Sequence, residues 1–164
     1  MRIINLIVVH CSAAREDCTL SPEDLDRLHR RRGFNGTVCL TRAIERIGTH
    51  AKGFNAHSIG ICYEGGLDCR ERPADTRTPA QRATPRQLVG QLQEKFPGCW
   101  VCGHWDLSPD LNGNGEIEPE EWIKSCPCFE VAKEFKEFGG FTPQAENTED
   151  HRVTQHIKEQ KGGK

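Results

Sequence analysis

The sequence lacks the long apolar run that a membrane-spanning helix needs. Such a helix takes about 20 consecutive apolar residues, whereas the stretch from Ile3 to Val9 is short and broken by Asn5. The chain also lacks a surplus of one charge. Lys plus Arg number 22 and Asp plus Glu 24, a formal net charge of −2, where a nucleic-acid-binding chain shows a basic excess. The first residues do not follow the basic, apolar and small-residue succession of a secretory signal, because Ile3–Val9 leads straight into His10. Synthesis in the cytoplasm without a signal peptide is therefore expected. Tyrosine is nearly missing, Tyr63 being the only one, and no internal repeat is visible.

Cysteine, by contrast, is plentiful. Nine stand at positions 11, 18, 39, 62, 69, 99, 102, 126 and 128. An odd number cannot all pair, and 164 residues suffice for one compact domain with a core that needs no disulfides. The expectation is reduced thiols, one of them free to serve as a metal ligand.

Ile3–Val9 is β-branched and nearly continuous, as in a strand buried on both faces. Ser58–Tyr63 alternates like a strand and breaks at Gly65-Gly66, and Cys99–Cys102 reads as a third, short strand. Ser21-Pro22-Glu23-Asp24 has the pattern of a helix start, with the helix stopping near Gly33. Thr84-Pro85-Arg86-Gln87 repeats that pattern, and Leu88, Leu92 and Phe96 give the helix an apolar face. Residues 68 to 83 read as a surface loop, and a last helix is expected over Phe129–Phe138, with Phe129, Ala132, Phe135 and Phe138 on one side. Alternating strands and helices give a single α/β domain, a central mostly parallel or mixed β-sheet flanked by helices. The domain is expected over residues 1–140, with 141–164 a polar, disordered tail.

Two of the strands end in a histidine, His10 and His104. Ligand sites of open α/β sheets gather beyond the carboxyl ends of strands, so both imidazoles can reach one crevice. Cys126, in Lys124-Ser125-Cys126-Pro127, is a third candidate ligand. Two imidazoles and a thiolate leave one tetrahedral position of zinc open to water, the signature of a catalytic site.

Together, Val8-Val9-His10-Cys11-Ser12-Ala13, His50-Ala51-Lys52-Gly53-Phe54-Asn55, Ser58-Ile59-Gly60-Ile61 and Lys124-Ser125-Cys126-Pro127 with Phe129 resemble the zinc-dependent N-acetylmuramoyl-L-alanine amidases of the phage-lysozyme type. Peptidoglycan recognition proteins share that fold. The resemblance implies hydrolysis of the amide between N-acetylmuramic acid and the L-alanine of the stem peptide. It implies Zn2+ on His10, His104 and Cys126, and Lys124 as the catalytic cation near the scissile carbonyl. It also makes His50, beside the substrate groove, a residue that supports the ligands. The partner implied is bacterial peptidoglycan, met after release of a phage or prophage endolysin, with no nucleic acid, no membrane and a monomeric chain. One departure stands out. Gly33-Phe34-Asn35-Gly36 is followed by only Thr37-Val38-Cys39-Leu40 before Thr41-Arg42, so the hairpin that carries the family's catalytic tyrosine is missing, and Tyr63 belongs to another strand.

Two other metal readings compete for residues near this site. Cys99-x-x-Cys102 with Cys126-x-Cys128 has the make-up of a four-cysteine zinc site, although period two sends residues 99 and 102 to opposite faces of a strand. Asp110-x-Asn112-x-Asn114-Gly115, followed by five residues and Glu121, matches a calcium-binding EF-hand loop. Side-chain oxygens would come from Asp110, Asn112 and Asn114, a backbone carbonyl from Glu116, and a bidentate carboxylate from Glu121 at the start of an exiting helix over Glu120–Ile123. The competing reading is an Asn/Gly turn held by its own Asx hydrogen bonds.

Overall fold

The computed structural model describes residues 2–16 and 36–139. The helix expected from Ser21 to Gly33 and the tail from 141 onward lie outside the described residues. The first strand, β1 (Leu6–Cys11), is buried along almost its whole length, as its unbroken apolar run requires of a central strand. It pairs in parallel with β3 (Ser58–Tyr63) on one side and β5 (Trp100–Gly103) on the other. The order is β3-β1-β5. Two-residue strands β2 (Ala14–Arg15) and β4 (Gly66–Leu67) form a second small parallel pair. Of the two expected alternatives the described sheet is the parallel one, with a single antiparallel bridge between Leu67 and Pro73. β1 begins later than the sequence suggests. Ile3 is exposed, while Asn5 still accepts the N–H of Trp100.

The long helix α1 (Pro79–Lys95) crosses back from the β3 side to β5. It starts one turn and more before the expected Thr84, at Thr78, whose hydroxyl accepts from the Gln81 backbone while the Gln81 side chain accepts from the Thr78 N–H. Two Thr-Pro pairs, 78–79 and 84–85, carry the same start signal, each with a glutamine three residues after the threonine, Gln81 and Gln87, and in the structure it is Gln81 that closes the box. Pro85 therefore lies inside the helix, and the surface loop ends at residue 78 rather than 83. The buried stripe is Gln81, Pro85, Val89 and Leu92, so Val89 takes the central place expected of Leu88. The last expected helix is divided into α2 (Val131–Glu134) and a 3-10 turn at Lys136–Phe138. Phe129, Val131 and Phe135 are its buried residues, whereas Ala132 and Phe138 are only half-buried.

Alternation along β1 builds two apolar layers. Ile7 and Val9 join Ile61, Tyr63, Val89, Val101, Phe129 and Phe135 on the helix-covered face. Leu6 and Val8 join Cys102 on the other, with Phe54 and Leu107 packed against them. Among the described residues nothing pairs with the outer edge of β3. Residues 36–57 contain no strand, and Val38, Leu40 and Ile47 in that stretch are more than half exposed. This agrees with the shortened segment read from the sequence. Among the described residues no helix is long and apolar enough to cross a membrane.

Candidate metal centre

The register of the sheet puts the candidate ligands side by side. His10 follows Leu6 and Val8 at period two, and His104 follows Cys102, so both project from the face of the second apolar layer. Val9 pairs with Gly103 across β1 and β5, which makes His10 and His104 lateral neighbours. Their ring centroids are 4.6 Å apart. Cys126 arrives from the loop after β5, its sulfur 3.8 Å from His10 Nδ1. One ligand atom each from His10, His104 and Cys126 lie within 4.8 Å of one another, a spacing that small side-chain movements would close onto one ion at about 2.0 Å from nitrogen and about 2.3 Å from sulfur. Two imidazoles and a thiol suit zinc far better than an oxygen-seeking ion.

The local electrostatics fit cation binding by neutral rings. His10 is pushed down to about 3 by burial, by His104 and by His50, and His104 is lowered by burial and by Lys124. The backbone N–H of Cys11 donates to Cys126 Sγ at 3.1 Å. The Cys126 thiol itself is pushed up, by the hydrogen-bonded Cys11 sulfur and by burial, so a metal bound there would release a proton.

The loop between His104 and Cys126 is held at its base. Trp105 and Trp122 stack at 4.1 Å with a 15° interplanar angle, the Trp105 N–H donates to the Cys126 carbonyl, and Ile123 N–H donates to Ser108 Oγ. Within the loop, Asp110 accepts from Gly113 and Gly115, Asn112 from Asn114, and Asn114 from Glu116. Glu121 accepts from Leu111, Asn112 and Glu118. The expected exiting helix is a 3-10 turn over Pro119–Glu121, because Trp122 turns inward to stack rather than continuing the helix.

The structure also separates the four cysteines of the competing zinc reading. Cys99 packs in the helix-side layer and donates to the Ile4 carbonyl, while Cys102 lies in the opposite layer. Among the described residues, the His, Cys, Asp and Glu side chains that come close enough to share one ion are His10, His104 and Cys126.

Tyr63, the only tyrosine, is buried on β3 and donates its hydroxyl to the Pro127 carbonyl at 2.7 Å. Burial, Cys11 and Cys128 all raise its pKa, so it stays a neutral donor that holds the Cys126 segment against the sheet. No sequence pattern announced this role. Replacing Tyr63 by Phe strands a buried carbonyl and should cost about 1–3 kcal/mol, read as a lower denaturation midpoint in urea with an unchanged slope.

His50 lies against the candidate ligand His10, its Nδ1 2.9 Å from His10 Nε2. The side-chain oxygen of Asn55 accepts the backbone N–H groups of His50 and Ala51 and so fixes the turn that carries it. Lys124 is exposed at the rim, lining an open cleft of about 1240 Å³ with His10, His50, His104 and Cys126.

The profile of one protein family, described as N-acetylmuramoyl-L-alanine amidase, matches residues 1–127. An uncharacterized protein of Haemophilus influenzae is 44% identical over 98 residues, covering 60% of this chain and 84% of its own. The endolysin of Enterobacteria phage T3 is 30% identical over 138 residues, covering 77% of this chain and 82% of its own. Among solved structures, the N-acetylmuramoyl-L-alanine amidase LysC from Clostridium intestinale aligns with a TM-score of 0.51 at 23% identity, covering 82% of each chain.

Proposed function

The chain belongs to the N-acetylmuramoyl-L-alanine amidase family, and on that premise we propose that it is a zinc-dependent endolysin-type hydrolase of the bond between N-acetylmuramic acid and L-alanine in bacterial peptidoglycan. The observation that carries this reading is the convergence of His10, His104 and Cys126 at the floor of an open cleft. His10, His104 and Cys126 would hold the zinc, which would supply an activated water and Lewis-acid polarisation of the scissile carbonyl. Lys124, at the rim, places a cation where negative charge develops on that carbonyl oxygen. His10 and His104 serve as neutral ligands, and His50 supports His10 from behind. The substrate is a muropeptide of the cell wall, reached after release from the cell that made the enzyme.

The buried hydroxyl of Tyr63 favours a second reading, a zinc-containing peptidoglycan-binding module with impaired catalysis, because the one tyrosine is committed to Pro127. Purified sacculi separate the two. Release of L-alanine amino termini supports the hydrolase, whereas sedimentation with sacculi and no release supports the binder.

Calcium in the Asp110–Glu121 loop is the second part of the proposal. Asp110, Asn112, Asn114, the Glu116 carbonyl and Glu121 would surround the ion, with Glu118 acting through water. Its effect would be to stiffen the segment joining His104 to Cys126. Binding only the folded state would add about 2.7 kcal/mol at a hundred times Kd, a melting shift of several degrees that Asp110→Ala and Glu121→Gln should remove. A melt unmoved by calcium at constant zinc would leave the loop as an Asn/Gly turn.

A further inference from the structure

The residues around His50 form a directed chain of hydrogen bonds that ends at a metal ligand. Ser58 Oγ lies 2.7 Å from the Phe54 carbonyl, and a carbonyl only accepts, so the hydroxyl proton points there. Ser58 Oγ also lies 3.1 Å from His50 Nε2 and must therefore accept from it. A neutral His50 with its proton on Nε2 has a lone pair on Nδ1. That lone pair faces His10 Nε2 at 2.9 Å and accepts its proton. His10 is left with a bare Nδ1, the atom that faces Cys126 Sγ.

The sheet supplies the space for this chain. Leu6, Val8 and His10 pair with Ser58, Gly60 and Cys62, so Ser58 and Gly60 share the face from which His10 projects. The His50 ring lies over Gly60, where a Cβ would stand 2.9 Å from its Cγ and Nδ1. Gly48 also borders the ring, at 3.0 Å from Cδ2 by the same measure. Neither glycine has a positive φ among the described residues, so both are there for close approach rather than for backbone freedom.

We propose that Ser58 and His50 are positioning residues that lock His10 in the Nε2–H tautomer, with Gly48 and Gly60 making room for the ring, so that Nδ1 is presented to the metal. This deepens the metal reading above and rests on it. A ligating histidine commonly gives its second N–H to a carboxylate, carbonyl or water, and losing that partner weakens metal binding about 10- to 100-fold. Here the partner is another imidazole, which can itself adopt either tautomer. Ser58 removes that ambiguity.

The test has two readouts. In 15N-labelled, metal-free protein, long-range proton–nitrogen correlations should find the His10 proton on Nε2 and the His50 proton on Nε2. A His10 proton on Nδ1 would overturn the proposal, and this result needs neither a mutation nor zinc binding. In chelator competition, His50→Leu and Gly60→Ala should each weaken zinc binding about 10- to 100-fold. His50→Asn, which keeps a carbonyl oxygen near the place of Nδ1, should lose clearly less. Unchanged affinity in folded His50→Leu, or an equal loss in His50→Asn, would overturn it. If the wild type binds no zinc while its tautomers are as stated, the metal reading fails and the relay stands.

Discussion

His10→Ala, His104→Ala and Cys126→Ala should each reduce bound zinc from about one equivalent to less than about 0.1, in a chelator buffer that leaves the wild type loaded, because three protein ligands are the least that hold such a catalytic ion. Turnover on sacculi should fall to background in all three. The control is Lys124→Ala. Its side chain lines the cleft without belonging to the metal grouping, so zinc should remain while turnover drops about 10²- to 10³-fold, the usual cost of losing a donor to a developing oxyanion. Cys99→Ala should keep its zinc, since that thiol points into the helix-side layer toward the Ile4 carbonyl. Metal analysis of the folded variants checks all five. Zinc surviving in His104→Ala and vanishing in Cys99→Ala would return the site to the four-cysteine reading.

The largest expected loss of stability is at Arg77. Its side chain is 1% exposed and makes paired hydrogen bonds to Asp75 and Glu134, while the guanidinium lies 3.2 Å from the centroid of Phe129. It thereby ties the segment before α1 to α2 and to the aromatic layer beneath. Arg77→Ala leaves the partly buried Glu134 without its cation and Asp75 with only the half-exposed Arg82, and the cost expected is about 3–5 kcal/mol, a fall in Tm of about 6–20 °C. Arg77→Lys should recover little, because a point charge cannot make two planar pairs.

The acid limb should change as well. Burial acts to raise the pKa of Asp75, but hydrogen bonding and charge from Arg77, with help from Arg82, bring it below its usual 3.8. A carboxyl with a lowered folded-state pKa stabilises above 3.8 and loses that contribution as pH falls through the folded value. The wild type should therefore destabilise below about pH 4 more steeply than Arg77→Ala. Parallel acid profiles of the two proteins would show that the pairing contributes nothing.

The sequence by itself determined the central strand, the three residues His10, His104 and Cys126 that the fold brings together, and the family resemblance. The reasons are local. Ile3–Val9 is too continuously apolar to be anything but interior, Ser58–Tyr63 alternates with its observed bounds, and a histidine after each of two strands with a downstream Cys-Pro is readable as spacing. The shortened stretch after Gly36 was visible too, and among the described residues it forms no strand. The start of α1 was not decided locally, since Thr78-Pro79 and Thr84-Pro85 carry equivalent signals. Each pair has a glutamine placed to close the cap, and what distinguishes Gln81 is that its side chain, besides closing the cap, reaches the Glu64 carbonyl, a partner that only folding brings near. Tyr63 looked like a strand residue and nothing more, until Pro127, 64 positions away in sequence, came within reach of its hydroxyl. The role of Ser58 and Gly60 depends on the pairing of β1 with β3, which no single segment contains. Local pattern fixes which side chains share a face, but the hydrogen bonds that orient an imidazole come from whichever strand the tertiary register sets beside it.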